Sequence, residues 1–169
     1  MTNYKNTILF KIFLNIEGLL FKNILIHNLM GNTQSIQKIN FEDVQYVLKN
    51  IESHLLINTL PENEQGCLIP NTIIASQEEI IINKCLTNGI KNINIIIYGR
   101  NCNDEKNYIK YNQLTSLGFY NVYIYLGGLF EWLMLQDIYG SQEFPTTKKE
   151  LDILKYKPSK ILNISLLEY

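Results

Sequence analysis

The chain has 169 residues, 46% hydrophobic and 18% charged, with a formal net charge of −1. That is one domain of ordinary size with some extra at its ends. The apolar content is enough for a real core, and the charge leaves no electrostatic footprint for nucleic acid. Cys67, Cys85 and Cys102 form no CxxC pair, and His27 and His54 stand far apart. Neither a structural zinc site nor a disulfide scaffold is expected, and a sparse, odd cysteine count suits a reducing cytoplasm. Nothing in the sequence calls for a metal or a cofactor.

Residues 1–37 read as an N-terminal extension. Ile8 to Ile26 is apolar but interrupted by Lys11, Asn15, Glu17 and Lys22. A membrane span needs about 20 mostly apolar residues, so an amphipathic extra helix or an extension is the simpler reading. Met30-Gly31-Asn32-Thr33-Gln34-Ser35 fits the N-myristoylation pattern. That chemistry needs a free α-amino group, so Gly31 is a lipidation candidate only if Met30 is the true start. One acyl chain would then give weak, reversible membrane association.

The domain is expected over residues 38–140. Ile39 is a candidate first short strand. Asn40 can cap a helix that carries Phe41, Val44, Val47, Leu48 and Ile51 at helical spacing. Leu55-Leu56-Ile57 is the next strand, and Thr72 to Ala75 a short one. Ser76 with Glu79 forms a capping box for a helix that ends at Asn88-Gly89. Ile93 to Tyr98 is a β-branched run suited to a buried parallel strand. Gly99 to Asp104 is a tight polar loop. From Glu105 a helical period carries Tyr108, Tyr111, Leu114 and Leu117, and Gly118 closes it with a left-handed cap. Val122 to Leu126 is a strand, Gly127-Gly128 a turn, and a last helix runs to Gly140. Strand, crossover helix and parallel strand make a βαβ unit, whose ligands sit outside the carboxyl ends of the strands. The loop 99–104 lies there, before a helix N-terminus that favours anions. Residues 141–169 form a C-terminal extension, in which Thr147 and Glu150 predict a short helix from Lys148 to Lys155.

Residues 93–132 resemble the active-site half of the rhodanese (sulfurtransferase) family. That family runs strand, Cys-led loop, helix, Leu-Gly-Phe, a strand containing Val, then Gly-Gly and a Trp four residues later. The matching residues are Leu117-Gly118-Phe119, Asn121-Val122-Tyr123 and Gly127-Gly128-Leu129-Phe130-Glu131-Trp132. With its Asn- and Ile-heavy composition, the chain is similar to the rhodanese-like proteins of large AT-rich DNA viruses. The resemblance implies an α/β fold: a rhodanese-like three-layer α/β/α domain with a mostly parallel central sheet of about five strands.

It also implies a chemistry. A rhodanese thiolate takes the outer sulfur of a donor, becomes a persulfide and passes the sulfur on. The loop N–H groups and the following helix N-terminus stabilise the negative charge. The nucleophile is the first loop residue, which here is Gly99. The family's Asp-x-Arg pair falls on Asn58 and Leu60, and of its Gly-His-Ile-Pro-Gly-Ala stretch only Ile69-Pro70 survives. Cys102 is the candidate displaced nucleophile within the active-site loop Gly99, Arg100, Asn101, Cys102, Asn103 and Asp104. Asp104 and Glu105 suit the helix dipole but would repel a thiolate or a persulfide. The related phosphatases need an Arg where Glu105 stands. The expectation is therefore a catalytically degenerate domain acting as a binding or regulatory module for an unidentified protein partner. The alternative is an active sulfurtransferase using Cys102.

Overall fold

The computed structural model describes residues 35–162, so Gly31 and the stretch 8–26 lie outside the described residues. The compact unit that holds the sheet begins at Gln37. Its elements are β1 (Lys38–Ile39), α1 (Phe41–Lys49), β2 (His54–Asn58), β3 (Thr72–Ile73) and α2 (Ala75–Thr87). They continue with β4 (Asn94–Tyr98), α3 (Lys106–Ser116), β5 (Asn121–Tyr125) and α4 (Gly128–Tyr139). The five strands lie in the order β1-β5-β4-β2-β3, and every pairing is parallel. The α/β class, the strand count and the parallel sheet agree with the sequence reading.

The chain moves along the sheet in one direction from β1 to β2 and β3, and returns through β4 to β5. Right-handed crossovers therefore set α1 on one face and α2 and α3 on the other. Side-chain alternation follows the same division. Leu56, Ile96, Tyr98 and Tyr125 join one core cluster with Val44 and Val47 of α1 and Leu129, Trp132 and Leu133 of α4. The intervening residues Ile57, Ile95, Ile97, Val122 and Ile124 are buried as well, on the face over which α3 packs. Both faces are covered, which is why β4 is continuously apolar rather than alternating.

Local chemistry sets the element ends. Asn40 caps α1 in a reciprocal capping box with Asp43. Gly89, Gly118 and Gly140 follow their helices with φ of 69°, 91° and 94°, the left-handed conformation glycine adopts at least cost. Two expectations fail. The helix α2 begins at Ala75 with Ile74 at its cap and no side-chain cap of its own. The N–H of Ala75 donates instead to Gln65 Oε1 at 3.0 Å, so a distant side chain does the work assigned to Ser76. The expected Thr72 to Ala75 strand is correspondingly shorter.

The expected helix Lys148–Lys155 is absent, replaced by an irregular run and a 3-10 turn at Ile153–Tyr156. Thr147 does not cap a helix. Its Oγ1 accepts from Leu68 N–H at 3.0 Å, and its own N–H donates to Leu68 O at 2.8 Å. The segment is thereby stitched to the loop after β2. Phe144 and Tyr156 enter the core cluster, and Trp132 Nε1 donates to Pro145 O at 2.9 Å.

Candidate functional site

The loop 99–104 leaves the carboxyl end of β4 and is held from three sides. From one side comes the start of α4. Leu129 N–H donates to Gly99 O at 2.9 Å and Phe130 N–H to Arg100 O at 3.0 Å. The approach is close enough to require glycine. A Cβ on Gly128 would stand 2.6 Å from Gly99 O and 2.9 Å from Asn101 N, and φ there is +62°. The second support is the C-terminal segment, whose Tyr156 O accepts from buried Asn101 Nδ2 at 2.7 Å. The third is Thr59, just past β2.

The centre of the loop is filled by its own carboxylate. Asp104 Oδ2 accepts from Arg100 N–H at 3.0 Å and from Thr59 Oγ1 at 3.2 Å. Asp104 Oδ1 accepts from Lys106 N–H at 3.1 Å, at the start of α3. Bonds from donors to an ionised acceptor are the strong kind, and a helix N-terminus favours that charge. Thr59 Oγ1 also lies 3.1 Å from Oδ1 of the buried Asn107. A single hydroxyl proton cannot serve both acceptors. With the Asn107 amide turned so that its NH₂ donates to Thr59, the hydroxyl is free to donate to Asp104.

This carboxylate occupies the space in front of Gly99. A Cβ built on Gly99 meets Asp104 Oδ2, and lies 2.7 Å from both Asn107 Oδ1 and Thr59 Oγ1. No larger residue fits there without displacing Asp104.

Cys102 is exposed. Its Sγ lies 3.6 Å from Asn103 Oδ1, a carboxamide oxygen and no aid to a thiolate. The neighbouring loop donors point elsewhere. Asn103 N–H goes to Asn101 Oδ1 at 3.0 Å, and Asp104 N–H to Asn101 O at 3.1 Å. Arg100, the loop's cation, turns away from it. Its guanidinium pairs with both carboxylate oxygens of Glu64 and donates to Lys155 O at 3.2 Å.

The positions of the family's charged pair have structural duties. Asn58 is buried, donating to Ile73 O at 3.3 Å and accepting from Leu60 N–H at 3.1 Å. Leu60 is part of the core cluster. Tyr98 Oη accepts from Ile69 N–H at 3.2 Å and lies 2.9 Å from Thr72 Oγ1, fixing the 67–72 turn. Burial pushes its phenol well above the usual tyrosine value. Burial likewise raises the Cys67 thiol, which donates to Lys148 O at 3.0 Å. Among the described residues no group of three or more His, Cys, Asp or Glu could hold a metal. No helix there is long and apolar enough to cross a membrane.

The solved structures to which the chain is similar include rhodanese-like domains and a sulfurtransferase. One is the rhodanese-like domain of the Alr3790 protein from Anabaena sp., determined by solution NMR. It is 18% identical with a TM-score of 0.48, over 80% of this chain and 94% of that one. A crystal structure of the Alr3790 protein is 19% identical with a TM-score of 0.48, over 68% of this chain and 83% of that one. A thiosulfate sulfurtransferase from Pseudomonas aeruginosa is 18% identical with a TM-score of 0.46, over 59% of this chain but 19% of that one. No family model and no curated protein matches the sequence. Likenesses this distant carry no argument about activity, so the chemistry rests on the chain's own loop.

Thr59, Glu64 and Asn107 were not legible as site residues. Thr59 reaches Asp104 across 45 positions of sequence, and no local pattern links them.

Proposed function

We propose that this chain is a rhodanese-like domain that has lost sulfur transfer and serves as a binding or regulatory module. The observation that carries the reading is the Asp104 carboxylate. Gly99 stands at the position that the resemblance gives to the nucleophile, and Asp104 lies in the space its side chain would need. The donors of Arg100, Thr59 and Lys106 are engaged by that carboxylate. A fixed negative charge at the centre of the loop repels thiosulfate and any persulfide. The loss of the charged pair at Asn58 and Leu60 points the same way, since both side chains are committed to packing and turn formation.

The test is sulfur transfer from thiosulfate or mercaptopyruvate to cyanide, with intact mass to detect an added sulfur. The expected result is no turnover and no sulfur adduct in a folded protein. Turnover that disappears in Cys102→Ser would overturn the reading, and would mean that the loop has re-sited its nucleophile at Cys102.

A further inference from the structure

Beside the loop lies a cavity of about 360 Å³ lined by Glu64, Gly66, Cys67, Arg100 and the segment 148–155. It opens at the carboxyl ends of β2 and β4, the end at which open parallel sheets take ligands. Its size is at the lower end of the range for small-molecule sites. Three of its four cations come from the segment 148–155, outside the span that resembles the sulfurtransferases.

The charges of the lining do not cancel. Four cations face two carboxylates, and both carboxylates are engaged. Glu64 is held by Arg100. Glu150 is held by Lys155 and by the N–H groups of Leu151 and Asp152, at 3.0 and 3.1 Å. The hydrogen bond from Lys155 holds the Glu150 carboxyl below its usual value, so it stays ionised and paired at neutral pH. Lys148 and Lys149 have no carboxylate partner among the described residues. Two lysines with no carboxylate partner among the described residues therefore line a concave site, and concavity focuses their field. The rest of the lining is uncharged. Gly66 has open space where its side chain would be, and the Cys67 thiol is tied to Lys148 O.

We propose that this cavity binds a small molecule bearing phosphate or sulfonate groups. Lys148 and Lys149 supply the charge, and Arg100, fixed by Glu64 and by Lys155 O, supplies the rigid wall. The proposal does not depend on whether the loop 99–104 transfers sulfur.

The full chain is titrated with inorganic pyrophosphate by calorimetry at low ionic strength. Saturable one-site binding is expected, weakened about tenfold or more in Lys148→Gln/Lys149→Gln. The exposed pair Lys49→Gln/Lys84→Gln, remote in sequence from the cavity, carries the same charge change and is expected to stay within about twofold of the wild type. Absence of saturable binding overturns the proposal. So does equal weakening in both lysine pairs, which would mean net charge alone. Binding of an acidic peptide with no response to pyrophosphate overturns it too, in favour of a protein ligand. The unfolding midpoints of both glutamine pairs are measured alongside, so that a loss of binding is read only in folded protein.

Discussion

Gly99 and Asp104 are coupled through one small volume, and the coupling is measurable. Gly99→Ala places a methyl group against Asp104 Oδ2, Asn107 and Thr59. Overpacking of this kind costs about 1–3 kcal/mol. Asp104→Ala removes the acceptor for Arg100 N–H, Lys106 N–H and the Thr59 hydroxyl, at a similar cost of about 1–3 kcal/mol. The two costs should not add. Once the carboxylate is gone, the tightest of the three contacts is relieved while Asn107 and Thr59 still crowd the methyl group, so the double variant is expected to be more stable than the sum of the singles predicts. Urea denaturation of the four proteins gives the interaction energy, for which contacting residues show about 0.5–3 kcal/mol. Strict additivity would mean that the carboxylate does not occupy the space before Gly99. The residue types here were readable from sequence, since Gly99 and Asp104 stand in one loop. Their relation was not, because the acceptor that fills the gap and the hydroxyl that orients it come from opposite ends of the 59–104 interval.

At the scale of elements, the docking of α4 on the loop depends on Gly128. Its φ of +62° and its 2.6 Å approach to Gly99 O leave no place for a Cβ. Gly128→Ala combines a left-handed backbone cost of about 1–2 kcal/mol with a clash against main chain that cannot rotate away. The expected outcome is a fall in stability of at least about 2 kcal/mol by urea denaturation. Hydrogen exchange should speed up at Leu129 and Phe130, whose N–H groups bond the loop. Unchanged protection there would mean that the helix start is not what holds the loop. The Gly-Gly pair was legible as a turn, and the strands and α3 were legible because period and caps agree. The segment after Gly140 was misread for an identifiable reason. Thr147 and Glu150 have the spacing of a capping box, yet Leu68, 79 residues away, takes the Thr147 hydroxyl. Glu150 meanwhile turns to the N–H groups of Leu151 and Asp152. Local propensity lost to a tertiary partner, as it did at Ser76, where Gln65 reaches the first N–H of α2.

At the scale of the whole molecule, the buried acids of the core predict a stability that falls in alkali. Burial raises the Cys67 thiol and the Tyr98 phenol above their ordinary values, which are about 8.5 and about 10. In the folded chain both groups keep their protons through a pH range in which the unfolded chain releases them. The folded state then binds more protons than the unfolded state, so the free energy of unfolding decreases as pH rises. The decrease begins near the ordinary thiol value and steepens near the ordinary phenol value. Below about pH 7 neither group contributes a slope. The check is the urea midpoint at neutral pH and at several alkaline values. Tyr98→Phe separates one phenol's contribution from those of Tyr125 and Tyr156, which burial also raises. That variant loses the acceptor for Ile69 N–H and the contact with Thr72, so it should be less stable at neutral pH, by about 1–3 kcal/mol. Its midpoint should then fall less between neutral pH and the alkaline limit, because the phenol no longer differs between the two states. A variant with the full alkaline slope would place the titrating group elsewhere. It would also mean that the Tyr98 phenol, at the junction of β4 and the 67–72 turn, ionises in the folded protein as readily as in the unfolded one.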